Sequence, residues 1–272
     1  MAKHRSRWNS RRYHRLVAEG RGQGTLDSYK PWITIHDISS RGISSRTPGR
    51  TTGRIHHTLS GLETAFLYIL DASDKALDIR EQYPLLPVTE TVRIAEMAGI
   101  RHPRDSVSRY PYVLTTDFLI TTGSGLVARS IKQSSELEKS RVREKLEIER
   151  RYWAERDVEW RIVTEKEIDL QKARNLEWIY RAWKYTEMLP DGADCERIEA
   201  FFLDIYNRTE VPIAEIARQT EERFALRAGL GLTTFQHMIL ENRIKLDLRL
   251  PIDLVSARPV EGGAYSWIAM YA

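Results

Sequence analysis

Cysteine is almost missing from this chain: one residue of 272, Cys195. That scarcity excludes an internal disulfide framework and any cysteine-rich zinc site, and it fits a reducing cytoplasm. No apolar run approaches the ~20 residues that a membrane-spanning helix needs. The opening MAKHRSRWNSRRYHRL has basic residues but lacks the apolar core of a secretory signal. A cytoplasmic protein with no membrane partner is therefore expected, held together by burial alone and long enough for two domains. Acidic residues are scarce in one place only. Residues 1–60 carry twelve Lys and Arg against Glu19, Asp27 and Asp37, a local charge of +9 within a chain of net +4. A basic arm on a weakly acidic body suits a polyanion, although a solubilising tail has the same composition. Within the arm, EGRGQG has spaced glycines but no following Gly-Lys-Ser/Thr and no preceding strand, so it is expected to be a flexible turn and not a phosphate cradle.

What is present has the order of an α/β domain. SGLETAFLYIL starts with a cap and continues as a helix; ALDIREQYPLL alternates like a strand. A loop rich in Pro, Arg and His is expected up to about Tyr110, and PYVLTTDFLITTGSGLVARSIKQ then forms a hairpin turning at Gly123, Ser124 and Gly125. A charged helix follows from about Ser135 to Arg156, and VEWRIVT supplies another strand. The expected sheet domain ends near residue 168.

One acid and one amine interrupt that hairpin. Strand side chains alternate faces, so Ala128, Ser130 and Lys132 share a face, and Asp117 can sit opposite Lys132 across the paired strand. This is the geometry of metal-dependent phosphodiester cleavage in restriction-type nucleases. Carboxylates bind Mg2+ through oxygen, and the metal polarises the phosphate and lowers the pKa of water. The lysine offsets developing negative charge. An ordinary cross-strand ion pair fits the same spacing. Two further carboxylates extend the pattern. Glu63 stands in the first turn of the helix before the sheet, as an extra metal ligand or as the back-bonding acid of the capping box Ser60-Gly61-Leu62-Glu63. Glu149 shares a helical face with Val142, Leu146 and Trp153, and a carboxylate on an apolar face needs a partner. A structural salt bridge and a place near Lys132 both satisfy that need.

Beyond residue 168, RIEAFFLDIYN, VPIAEIARQTEERF and LTTFQHMILENRI suggest three helices, and KLDLRLPIDL alternates like a small wing. The expectation is a mainly α, winged-helix-like domain over 169–272, with Thr233, Thr234 and Gln236 where base-reading residues often sit. The third helix has few basic residues, which favours a protein partner. The tail ARPVEGGAYSWIAMYA places Tyr265, Trp267 and Tyr271 after two glycines, for docking on a partner or for packing within the chain.

EGRGQG, KPW, TGRIHH with LSGLE, LDIREQYPLLP, TTDF, EKLEIERRYW and EW-x-x-x-T-x-KEI, in this order over roughly residues 19–180, resemble the TnsA family. That family is the endonuclease subunit of Tn-seven-type heteromeric cut-and-paste transposases. The resemblance is weaker beyond Trp183. It implies a restriction-endonuclease-like mixed-sheet catalytic domain over residues 1–168. It implies that Glu63 and Asp117 bind catalytic Mg2+, with Mn2+ able to substitute, that Lys132 completes the site, and that the Ile131 carbonyl is a further ligand. Ser130 stands where the family usually has an acid or amide, which leaves water to fill that ligand position. Glu149 takes a supporting role, and His56 and His57 are DNA-facing or structural. The implied activity is hydrolysis of the non-transferred strand at the 5′ ends of the element, giving 5′-phosphate and 3′-hydroxyl, in the bacterial nucleoid. The implied partners are transposon-end double-stranded DNA, a TnsB-type integrase-like transposase and a TnsC-type AAA+ ATPase that contacts the C-terminal domain. Two other functions fit the residues: a stand-alone restriction-type nuclease or resolvase, and a noncatalytic winged-helix regulator.

Overall fold

The computed structural model describes residues 8–37 and 43–257, and the chain divides between Ile168 and Asp169 into two compact units. In the first unit, helix α1 (Ser10–Ala18) is capped by the Asn9 side chain. A two-stranded ribbon follows, β1 (Ser45–Pro48) with β2 (Ile55–Thr58), then helix α2 (Gly61–Asp71). A four-stranded mixed sheet has the order β3 (Asp78–Pro84), β4 (Thr115–Thr122), β5 (Gly125–Ile131), β6 (Glu159–Val163). The β3–β4 and β4–β5 pairs are antiparallel and β5–β6 is parallel. Helix α3 (Val88–Met97) leaves β3, and helix α4 (Ser140–Ala154) connects β5 to β6.

Alternation along the strands gives the sheet two apolar faces. Leu62 and Leu67 of α2 pack with Ile79, Phe118, Ile120 and Ile131 on one side. Ile94 of α3 and Ile148, Tyr152 and Trp153 of α4 pack with Leu119 and Ala128 on the other. The sheet is thus sandwiched between helices, and burial on both faces holds its strand ends in place.

Two expectations for this unit need correction. The segment expected to be a loop up to Tyr110 contains α3, which buries Val88, Thr91, Ile94 and Ala95; its Thr-Glu-Thr-Val-Arg sequence has weak helix propensity, and packing against α4 supplies the rest. The described part of the basic arm is packed, not loose. Trp8, Leu16 and Trp32 form a cluster with Val88 and Val113, and the Trp8 indole donates to the Pro111 carbonyl at 2.8 Å. EGRGQG is a fixed turn. The Gly22 N–H donates to Lys30 at 2.6 Å, and a Cβ at Gly22, whose φ is +78°, would lie 2.2 Å from the Pro84 ring.

The second unit is helical: α5 (Leu170–Ile179), the short α6 (Tyr185–Met188), α7 (Cys195–Arg208), α8 (Ile213–Phe224) and α9 (Leu230–Leu240). Gly231 lets α9 approach α8 closely, since a Cβ there would stand 2.2 Å from the Ala217 carbonyl. Residues 245–254, expected to form a wing, contain no strand. The Asn175 amide takes the Leu248 and Leu250 carbonyls at 2.8 and 2.7 Å, Asp247 bonds the Arg249 N–H, and Pro251 has no N–H to give. The base-reading expectation also fails for Thr234 and Gln236. Thr234 is buried and bonded to the Tyr185 hydroxyl at 2.8 Å. Gln236 is buried and its amide donates to the Trp178 carbonyl at 2.9 Å. Thr233, half-buried, back-bonds to Gly229. Tyr265, Trp267 and Tyr271 lie outside the described residues.

Candidate active site

The site forms where the ladder between β4 and β5 opens. Pairing of these strands runs from Thr122–Gly125 to Phe118–Arg129 and stops, while β5 continues beside β6 to the Ile131–Val163 pair. Asp117 is the next residue on β4, and its carboxylate replaces the missing backbone partner. Asp117 Oδ2 accepts the Ile131 N–H at 2.7 Å and the Lys132 ammonium at 2.7 Å. The same ammonium donates to the Ile131 carbonyl at 2.8 Å. Lys132 is positioned by its own backbone N–H, bonded to Val163 at 3.0 Å, and its half-buried side chain, 27% exposed, opens to solvent. Burial works against this ammonium, but the charge and hydrogen bond of Asp117 outweigh it, with Glu149 and Glu63 adding to the effect, and its pKa is raised.

Glu63 does what a capping residue does and more. Its Oε1 accepts from the Ser60 hydroxyl at 2.9 Å and its Oε2 from the Leu59 N–H at 2.9 Å, so the cap closes one residue earlier than the simple capping box requires. Burial, and then the negative charge of Asp117, push its pKa up to about 7. Cap and electrostatic neighbour of Asp117 are therefore both correct descriptions of this residue.

Glu149 projects from α4 onto the sheet and ties three strands together. Its Oε1 accepts from Thr116 of β4 at 2.7 Å, from Trp160 of β6 at 3.0 Å, and from the Ser130 hydroxyl of β5. Complete burial, and then Asp117, push its pKa up to about 7. Of the two uses open to it, a salt bridge or a place near Lys132, Glu149 forms no ion pair among the described residues and stands as a buckle beside the acid–lysine pair. Ser130 is spent on this buckle: its hydroxyl donates to Glu149 and accepts the Trp160 indole N–H at 3.1 Å.

Gln82 carries the sequence signal that was missed, inside LDIREQ. Its amide donates to Glu63 Oε2 at 3.1 Å and its carbonyl oxygen accepts from Thr115 at 3.3 Å. Its φ is +48°, rare for a residue with a side chain, and the β3–β4 ladder skips the Gln82–Asp117 position. The left-handed backbone at Gln82 thus sits beside two carboxylates, Glu63 and Asp117. His56, by contrast, is structural. It is fully buried between Glu81 at 2.8 Å and Thr52 at 2.8 Å, and Glu81 also takes both guanidinium nitrogens of Arg54. His57 is half-buried, with its pKa lowered by burial.

The donor set suits a hard cation. Two oxygens, of Asp117 and of Ile131, already converge on one positive atom, and Glu63 and Glu149 resist ionisation because they are buried and because Asp117 is near. One ammonium against three carboxylates leaves negative charge that a divalent ion relieves, and oxygen-only ligands match such an ion. The three carboxylates are not drawn into a tight cluster. Among the described residues, the trio of potential ligands within 4.8 Å of one another is Cys195, Glu199 and His237 in the second unit, where Arg243 pairs with Glu199 and supplies the positive charge.

Carboxylate and carbonyl oxygens surround a single ammonium where the two central strands of a mixed sheet part, an arrangement compatible with phosphodiester hydrolysis. Comparison with known proteins narrows the class. Residues 73–165 match the family described as TnsA-like endonuclease N terminal, and residues 167–248 match TnsA endonuclease C terminal. The chain is 42% identical over 254 residues to the Transposon Tn7 transposition protein TnsA of Escherichia coli, covering 91% of this chain and 90% of that protein. The chain belongs to the TnsA endonuclease family. Asp117, Ser130, Ile131, Lys132 and Glu149 fall within the matched N-terminal segment, and Glu63 precedes it.

Proposed function

We propose that this chain is the DNA endonuclease subunit of a cut-and-paste transposase and that it hydrolyses the non-transferred strand at the 5′ ends of the element, leaving 5′-phosphate and 3′-hydroxyl. Membership of the TnsA family supports the endonuclease role. The observation that carries the chemistry is the convergence of Asp117 Oδ2 and the Ile131 carbonyl on one cationic atom.

Asp117, the Ile131 carbonyl and Glu63 would hold Mg2+, or Mn2+ in its place. When bound, such an ion polarises the phosphate and lowers the pKa of water. The chain's own residues do the remaining work. Lys132 keeps its proton, with its pKa raised, and presents positive charge where the pentavalent phosphate gains negative charge. Gln82 orients the Glu63 carboxylate, and Glu149 holds β4, β5 and β6 in register beside Asp117. The restriction-endonuclease-like reading of the first unit rests on this acid–lysine arrangement within a mixed sheet flanked by helices. The C-terminal unit, α-helical and matched by its own TnsA segment, docks a TnsC-type ATPase, while a TnsB-type integrase makes the 3′ cuts and joins the strands.

The test is a strand-resolved cleavage reaction on an end-labelled transposon end, with the partner proteins and Mg2+ present. Cuts at the 5′ strand are expected only when this chain is included, and chelation should abolish them. Full 5′ cutting in the reaction that omits the chain would overturn the proposal.

A further inference from the structure

A second charged feature lies outside the acid–lysine pair, at the start of α4. The loop after α3 and the first turns of α4 enclose an open cleft lined by Arg101, His102, Arg104, Arg141, Glu144 and Lys145. Four of these side chains are cationic and one is acidic. The acid, Glu144, is already engaged by Arg141 at 2.6 Å, and this pair is 42% and 40% exposed. Such exposed pairs are weakly held, so Arg141 is available to a stronger anion. Arg101 and Lys145 form no ion pair among the described residues, and both are exposed.

The cleft is built, not incidental. His102 is buried under it, with Nδ1 donating to the Pro103 carbonyl at 3.0 Å and Nε2 held by Thr91 of α3 at 3.0 Å. Burial, with Arg104 and Arg141 nearby, lowers the pKa of His102, so the imidazole serves as a neutral anchor for the loop. Arg104 is fixed by a backbone bridge to Pro111. The same helix links the cleft to the nuclease site: Glu149, one turn beyond Lys145 on α4, accepts from Ser130, two residues before Lys132.

Four cations with one weakly held acid form a poor environment for one another and a good one for a row of phosphates. We infer that the Arg101–Arg104 loop and the Arg141–Lys145 turn of α4 bind the sugar-phosphate backbone of double-stranded DNA flanking the phosphate that is cut. This rests on the endonuclease reading above and adds the residues that hold the substrate to it. The contacts are to phosphate and carry no sequence information; they position the duplex. Binding through this cleft releases counterions, so it must weaken with salt.

The test uses the full-length chain and a fluorescein-labelled 30-base-pair duplex, with anisotropy recorded from 50 to 200 mM salt. The triple variant Arg104→Ala, Arg141→Ala, Lys145→Ala should bind roughly tenfold more weakly or worse at 50 mM, and its log–log salt slope should be smaller by about 2 to 3, at ~0.9 per phosphate contact. The charge-conserving variant Arg104→Lys, Arg141→Lys should retain most of the binding, which separates charge from packing. Arg218→Ala, in an exposed pair on α8, should behave like wild type. In the cleavage reaction the triple variant should need more DNA for half-maximal 5′ cutting while approaching the wild-type maximal rate. Unchanged affinity and slope in the triple variant, or no binding by the wild-type chain at 50 mM salt, would overturn the inference. Loss of partner stimulation with DNA binding intact would assign the cleft to a protein and also overturn it. None of these results bears on whether Asp117 is needed for cutting, so the two readings fail separately.

Discussion

The Lys132 ammonium lies 2.7 Å from Asp117 Oδ2, at the point where β4 and β5 stop pairing. A carboxylate has taken the place of a backbone carbonyl, and an ammonium has followed it out of the ladder. The consequence for Lys132 is a testable division between activity and fold. Lys132→Ala is expected to lower 5′-strand cleavage about a hundredfold or more, since a preorganised charge at a transition state is removed. Circular dichroism should find the same secondary structure, and a comparable loss of helix or sheet signal would reassign the residue to the fold.

Glu149 gives a pH dependence with a definite sign. Its folded-state pKa is raised to about 7, above the ~4.3 of an unfolded chain. The folded state therefore binds the extra proton between those values. The associated stability is present below about pH 4.3 and is lost as pH rises through about 7, at most about 4 kcal/mol at ~1.4 per pH unit. Melting temperatures without divalent ions should fall from pH 5 to pH 7 in the wild type, and Glu149→Gln should flatten that fall. Parallel curves for the two proteins would contradict the assigned burial.

Glu81 has the opposite sign and a different window. Burial alone would raise its pKa, but hydrogen bonds from Arg54 and His56 bring it down to about 2. Its stabilising contribution is present above about pH 4.3 and is lost as pH falls towards 2. At neutral pH, Glu81→Gln leaves the Arg54 guanidinium, only 8% exposed, without its counter-charge. A loss of about 3–5 kcal/mol is expected in denaturant titrations. A loss under 1 kcal/mol would mean that the ribbon β1–β2 is not anchored through this pair.

Gly22→Ala tests whether the N-terminal segment is part of the folded unit. The residue needs a positive φ, and the added methyl meets Pro84 at the end of β3. Strain in the left-handed region, at about 1–2 kcal/mol, adds to overpacking of about 1–3 kcal/mol. The melting temperature should drop by several degrees. An unchanged value would return EGRGQG to the flexible turn expected from its composition.

Local chemistry made much of the first unit legible. The cap before α2, the alternation of LDIREQYP and the Gly-Ser-Gly turn each act over a few residues, and the elements form where those signals stand. Elements that depend on distant partners left weaker traces. Helix α3 opens on the β-branched Val88, Thr89, Thr91 and Val92, and α1 buries little more than Leu16 and draws its support from Trp32 and Val113. KLDLRLPIDL alternates as a strand should, but an asparagine some seventy residues earlier takes its carbonyls. At the site, Asp117 and Lys132 could be paired from strand alternation alone. Gln82 could not, because its role depends on a left-handed backbone turn that no spacing rule encodes. Thr116 and Trp160 were hidden for a related reason: at the site they act as donors to Glu149, from strands that no spacing rule brings together.

The most direct measurement is strand-resolved cleavage of a labelled transposon end with Mg2+ and the TnsB- and TnsC-type partners, comparing the wild-type chain with Asp117→Ala. The account predicts that the variant keeps the 3′ cuts and loses the 5′ cuts. Identical 5′ cuts from both proteins would make the Asp117–Lys132 pair a structural ion pair and contradict the active site described above.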